Sequence, residues 1–211
     1  MADICYIIGA GDVTATNIIA DKSDYIICAD GGYKYKDLLG RECDIVVGDF
    51  DSLGRVPEIE NKIVAPTEKD ETDMMLAVNL GYDKGYRNFA IFGALGGTRN
   101  DHSVANIQLL HYITSKGARG TLYHENEVFT AFSDGTISLG AENKGYVSVF
   151  SLREESRGVT IENLKYTLDK AMLCSYMPIG VSNEFMGKDA RITVDDGALL
   201  VVYKKIHGGI L

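Results

Sequence analysis

Two aspartates separated by a single phenylalanine, Asp49 and Asp51, sit in Val47-Gly48-Asp49-Phe50-Asp51-Ser52, and acids recur further on in Lys69-Asp70-Glu71-Thr72-Asp73. Carboxylates at this density repel one another unless a cation or strong hydrogen-bond donors compensate. No histidine or cysteine lies beside them at zinc spacing, so a site built here is a set of hard oxygen donors suited to Mg²⁺ or Mn²⁺. Magnesium is commonly shared between a few carboxylates and substrate phosphates, which makes a nucleotide the natural companion. A plainer reading also fits each stretch taken alone. Gly48 to Ser52 can be a polar turn, and Thr67-Glu68-Lys69-Asp70 has the spacing of a capping box that opens a helix.

Other segments tip that balance. Gly93-Ala94-Leu95-Gly96-Gly97-Thr98-Arg99-Asn100-Asp101-His102 joins an apolar run to a helical one. Glycines let backbone approach a phosphate, a helix N-terminus supplies free N–H groups, and the Arg99 guanidinium offers a two-pronged contact. A capping box between Thr98 and Asp101 explains one acid, but neither the three glycines nor the arginine. Asp30, before Gly31-Gly32, closes another apolar run. Gly9-Ala10-Gly11 is a weaker signal, because the third glycine of the dinucleotide fingerprint and its ribose-binding acid are both missing.

These groups must be held by elements. Apolar, β-branched runs predict strands over 4–8, 24–29, 45–47, 62–65 and 88–92, and helical segments are expected over 13–20, 33–39, 74–80 and from the Arg99 loop to about residue 115. Strands alternating with helices imply right-handed crossovers and a mostly parallel sheet. The carboxyl ends of such strands share one crevice, so Asp30, Asp49, Asp51 and the 93–101 loop are expected to converge there. After Thr121 the pattern changes to short alternating runs at 136–139, 146–152, 158–164, 191–194 and 198–203. Turns at 134–135, 144–145 and 195–197 are expected to separate them. The fold class is therefore an N-terminal α/β domain, residues 1–122, followed by an all-β sandwich, residues 123–211.

The 211 residues, 45% hydrophobic and 24% charged, are ordinary globular composition and enough for two small domains. A formal net charge of -9 argues against a nucleic-acid or anionic-membrane surface, so a phosphate-bearing substrate needs local cations or metal. The first residues lack a basic region followed by an apolar core, and no apolar stretch approaches the roughly 20 residues that span a bilayer, so the expected location is the cytoplasm. Cys5, Cys28, Cys43 and Cys174 form no C-x-x-C pair and read as reduced packing residues.

With Asp30-Gly31-Gly32, Gly48 through Ser52, Lys69 through Asp73, and Gly93 through His102 followed by Asn106, the chain closely resembles the thiamine pyrophosphokinase (thiamine diphosphokinase) family. Gly158 through Tyr166 and Gly180-Val181-Ser182-Asn183-Glu184 resemble the family's β-domain segments, so the likeness covers most of the chain. It implies transfer of a diphosphoryl group from ATP to the hydroxyethyl oxygen of thiamine, release of AMP, a Mg²⁺ requirement with Mn²⁺ as a substitute, and a homodimer with thiamine sites between subunits. It implies metal ligation by Asp49, Asp51 and Asp73 with Asp70 in support. ATP contacts fall to Lys69, Asp70, Thr72, Gly96, Gly97, Arg99 and Asn106, although Lys69 also reads as a solvated lysine at a helix start. Substrate contacts fall to Asp30, Asp101, Ser182 and Asn183, with Asp49 or Asp51 as base and Arg99 as a catalytic cation. Two alternatives stay open at this point: a pyrophosphokinase for another heterocyclic alcohol such as a pterin, and a non-catalytic regulator that binds nucleotide or thiamine diphosphate.

Overall fold

The structure is a computed structural model and describes residues 3–13, 19–51, 57–66, 68 and 70–204. These form two compact units, one holding the residues up to 109 together with 122–125, the other 110–121 and the residues from 126 onward. The chain is therefore not divided at a single point.

In the first unit, β1 (Ile4–Ile8), β2 (Tyr25–Ala29), β3 (Ile45–Gly48), β4 (Lys62–Val64) and β5 (Asn88–Phe92) lie in the order β5-β1-β2-β3-β4. Every pair in that row is parallel. Beyond β5 the sheet is continued by β6 (Arg119–His124), whose Tyr123 stacks on Phe92. Strands covered on both faces have no polar side to show, which is why β1 and β2 read as unbroken apolar runs. One face gathers Tyr6, Ile8, Ile26, Cys28, Val46, Ala90 and Phe92 around Leu39 and Phe50. The opposite face is covered by α1 (Asp73–Asp83), which runs so close that a Cβ on Gly81 would lie 2.6 Å from the Cys5 sulfur. Cys5, Cys28 and Cys43 are buried thiols in this packing.

One helix expected from the sequence comes out differently. The segment expected over 33–39 is a 3-10 helix, Asp30–Tyr35, followed by turns through Leu39. Gly32 packs against the carbonyl of Ile8, so this segment starts tight against β1 directly after β2 and stays short. The helix expected over 13–20 falls largely on residues outside the described set. The helix after the Arg99 loop is α2 (Asn100–Ser115), as its apolar spacing predicts.

The second unit is antiparallel. β7 (Glu127–Leu139), β8 (Tyr146–Ser151), β9 (Glu155–Glu162), β10 (Leu168–Cys174), β11 (Asn183–Glu184) and β12 (Ala190–Lys204) pair as β10-β9-β12-β7, with β8 bridging β12 and β11. The turns expected at 134–135 and 195–197 are instead irregularities inside two long strands. Residues 195–197 bulge out of β12 opposite Asp134, whose φ is 43°, and the Gly197 N–H donates to Asp134 Oδ1 at 2.9 Å. A bulge bends a strand without ending it. Before the bulge β12 pairs with β9, and after it with β8, so one strand serves both layers of the sandwich. Val147, Val149, Val159, Ile161, Ile192, Leu199 and Val201 from both layers fill a single core.

Candidate active site

In the first sheet β5 lies beside β1 on the side away from β2, so the strand order reverses between β1 and β5. Loops leaving the carboxyl ends diverge at such a point and open a crevice. Here the two glycine turns line it together. The Gly9 N–H donates to Phe92 O at 2.8 Å, Gly11 N–H to Gly93 O at 2.8 Å, and Asp12 N–H to Leu95 O at 3.1 Å. Gly93 has φ 62° and sits against the carbonyl of Gly9, so no side chain fits at that position. The weak Gly9-Ala10-Gly11 signal is thus part of the same construction as the stronger loop after β5.

A cavity of about 600 Å³ opens over these strand ends, and Asp30, Asp49, Asp51, Thr72, Asp73, Gly96, Gly97, Arg99 and Asn106 all line it. Asp30, Asp49 and Asp51 each offer a carboxylate oxygen within 4.8 Å of the others. The local sequence dictates this grouping. Phe50 is 2% exposed, plugged into the core below with φ 62°, and its burial leaves the flanking Asp49 and Asp51 to the crevice. The Asp51 N–H donates to Asp49 Oδ1 at 3.2 Å and folds the loop back on itself. Gly48 brings this loop against β2's end, since a Cβ there would stand 3.0 Å from the Asp30 backbone.

Asp30 is buried, held at φ 44°, and its Oδ1 has no hydrogen-bond partner among the described residues. A buried carboxylate oxygen without a donor, next to two more carboxylates, is costly unless a cation joins them. Three oxygen-donor side chains with an orphaned buried oxygen fit Mg²⁺ or Mn²⁺. The ligand set expected from sequence was Asp49, Asp51 and Asp73. The structure closes the tight group with Asp30, and Asp73 stands on the wall of the same cavity as the first residue of α1. An acid in the first turn is favoured by the helix dipole, so Asp73 has a local reason for its place as well.

The rest of that acidic segment divides. Thr72 is the N-cap of α1, its Oγ1 accepting from Met75 N–H at 3.2 Å. Glu71 lines the cavity, whereas Asp70 is exposed and does not. Lys69, Thr67 and Ser52 lie outside the described residues.

On the other wall Arg99 and Asp101 grip each other. The guanidinium donates from Nε to Oδ1 at 3.0 Å and from Nη2 to Oδ2 at 2.7 Å, with side chains 65% and 64% exposed. The guanidinium holds the Asp101 carboxyl down at about 2. Asp101 is therefore tied to Arg99 rather than capping α2 through Thr98. Arg99 lines the cavity and Asp101 does not. Asn106, on α2, donates to Ala94 O at 2.7 Å and fixes the glycine loop to the helix. The Gly97 N–H donates to Asp12 Oδ2 at 2.8 Å, an anchor that nothing in the sequence pattern marked. Lys34 and His102 also line the cavity. A lone lysine after Asp-Gly-Gly carries little signal until the strand ends are known to meet.

In the second unit, Ser182 and Asn183 fare differently. Asn183 is buried and both ends of its amide are used on backbone, Oδ1 accepting from Tyr166 N–H at 2.9 Å and Nδ2 donating to Tyr166 O at 2.6 Å. An amide bonded this way braces the two segments against each other. Ser182 is exposed, with its N–H on Ser148 Oγ at 3.1 Å.

The family model described as Thiamin pyrophosphokinase, catalytic domain, matches residues 16–122, and that described as Thiamin pyrophosphokinase, vitamin B1 binding domain, matches residues 136–199. The chain belongs to the thiamin pyrophosphokinase family. It is 28% identical over 162 residues to thiamine pyrophosphokinase of Bacillus subtilis, covering 74% of this chain and 75% of that one. The crystal structure of that Bacillus subtilis enzyme shares the fold at a TM-score of 0.82 and 24% identity, over 97% of this chain and 100% of that one. A thiamin pyrophosphokinase family protein from Enterococcus faecalis matches at 0.78 and 25%, over 98% and 100%. The family is one of ATP-dependent diphosphotransferases, the class that the order of motifs implies. Neither the pterin-type alternative nor the non-catalytic regulator is favoured by these matches.

Proposed function

We propose that this chain transfers the terminal diphosphate of ATP to thiamine, giving thiamine diphosphate and AMP, with Mg²⁺ as the metal and Mn²⁺ able to replace it. The thiamine hydroxyethyl oxygen forms a bond to the β-phosphorus, the bond from the β-phosphorus to the α,β-bridging oxygen breaks, and AMP leaves with that oxygen. The observation that carries the reading is the meeting of three carboxylates with the Arg99-bearing glycine loop in one crevice of a member of this family.

Asp49 and Asp51, with Asp30 closing the group and Asp73 on the cavity wall, are the residues that would hold the metal. A bound divalent ion neutralises developing charge on phosphate oxygens. Asp49 or Asp51 accepts the hydroxyl proton, a role open to a carboxylate within reach of the attacking oxygen. Arg99 presents its fork to the phosphate chain, and Asp101 orients that fork. The nucleotide and metal belong to residues 1–122 and the vitamin to residues 123–211, where Ser182 remains the exposed polar contact within the segment matched as the vitamin B1 binding domain. We place the protein as a homodimer in the cytoplasm, the thiamine pocket of each subunit completed by its partner. Buried free thiols and the use of ATP suit that compartment. No helix among the described residues is long and apolar enough to cross a membrane.

The test is product identification. Purified protein with ATP, Mg²⁺ and thiamine is expected to yield thiamine diphosphate and AMP in equal amounts. Release of ADP or orthophosphate in their place, or a preference for a pterin alcohol, would overturn the assignment.

A further inference from the structure

The cavity is poor in positive charge for a site that takes a polyphosphate. Asp30, Asp49, Asp51, Glu71 and Asp73 line it, against only Lys34 and Arg99 as fixed cations among the described residues. Arg99 spends Nε and Nη2 on Asp101, which leaves only its remaining N–H groups for a phosphate. Lys34 makes no ion pair with a carboxylate among the described residues.

Its position is nevertheless built. Lys34 belongs to the 3-10 helix that begins at Asp30, and its Nζ donates to Ala10 O at 3.1 Å, which puts the ammonium on the glycine turn after β1, at the strand-order reversal. The same nitrogen lies 4.7 Å from the centre of the Tyr35 ring, and Tyr35 packs against the core of the sheet. An ammonium has three donors, so one held by a carbonyl leaves others for a ligand.

We propose that Lys34 is a phosphate-contacting residue, reaching the polyphosphate of the nucleotide from the β1 side of the crevice, opposite Arg99. The inference rests on the nucleotide reading above and adds a residue to it. Tyr35 and the Ala10 carbonyl hold the ammonium in place, so the contact depends on a cation at this position more than on its shape.

Lys34→Met and Lys34→Arg separate the idea from its rivals. In Lys34→Met, KM for ATP is expected to rise about tenfold with KM for thiamine and the melting temperature unchanged, and Lys34→Arg is expected to recover most of the loss. An ATP KM within about twofold of the parent in Lys34→Met, or equal losses in both variants with a lowered melting temperature, would overturn the proposal. A binding measurement that needs no turnover keeps this apart from the functional reading. Calorimetry with the α,β-methylene analogue of ATP should show the same tenfold weakening in Lys34→Met, whereas adenosine binding should not change. If the parent protein makes no thiamine diphosphate, the functional reading fails, and the calorimetry still decides Lys34.

Discussion

The two units treat their irregular backbone in opposite ways. Both hold non-glycine residues at left-handed φ, Asp30 and Phe50 in the first unit and Asp134, Asn163 and Ser182 in the second. In the second unit the cost is met internally. Asp134 accepts from the bulge at Gly197, Asn163 donates to Asp189 O at 2.8 Å, and the buried hydroxyls of Ser151 and Ser156 bond each other at 2.8 Å. In the first unit the same kind of strain delivers three carboxylates to one crevice and leaves Asp30 Oδ1 without a donor among the described residues. Strain with every polar group paired marks a structural bend. Strain that ends in an unsatisfied acid marks a place for a ligand.

The strongest way to break that contrast is Asp51→Asn. Removing one charge from the acid group while keeping its shape is expected to lower turnover by at least about 10²-fold at limiting Mg²⁺. The melting temperature should hold or rise, because like charges have been thinned. Near-normal turnover would remove Asp51 from the metal group. Asn183→Ala should do the reverse. Its loss strands the Tyr166 backbone groups, so stability should fall by about 1–3 kcal/mol in chemical denaturation while KM for thiamine in the folded fraction stays put. A raised thiamine KM at unchanged stability would restore Asn183 to the substrate.

Arg99→Lys is a smaller test of the same wall. A point charge cannot grip Asp101 and a phosphate as a fork does, and KM for ATP should rise about tenfold in steady-state kinetics. The smallest effect is electrostatic. Asp101 should titrate near 2 by carbon-detected NMR, and Arg99→Lys should move it up toward the ordinary 3.8. Because the folded value is the lower one, the pair's contribution is complete above the ordinary carboxylate range and disappears as pH falls through about 2. No activity limb from Asp101 is expected near neutral pH.

Much of the first unit was readable because parallel strands buried on both faces leave continuous apolar runs, and acids or glycines placed directly after such runs fall at one edge. Asp49, Asp51 and the 93–101 loop were visible for that reason. The convergence of Asp30 with them is expected on the same ground, but its place in the tight carboxylate group is not, since that depends on β2 and β3 being neighbours and on Gly48 admitting close approach. Lys34 and Asp12 were hidden likewise, each acting on a segment remote in sequence. In the second unit, Asp-Gly pairs imitate turns, and only the cross-strand register shows Asp134 and residues 195–197 to be facing irregularities inside continuous strands. The bracing of Asn183 was hidden as well, because its partner, Tyr166, lies on a different segment.

The central claim is that the carboxylates of Asp30, Asp49 and Asp51 form one cation site, and Mn²⁺ binding followed by electron paramagnetic resonance tests it most directly. The account predicts saturable Mn²⁺ binding that tightens when ATP is present, weakens at least about tenfold in Asp30→Asn and in Asp49→Asn, and is untouched by Asn183→Ala in the folded protein. Undiminished Mn²⁺ binding in both aspartate variants, with and without ATP, would contradict it.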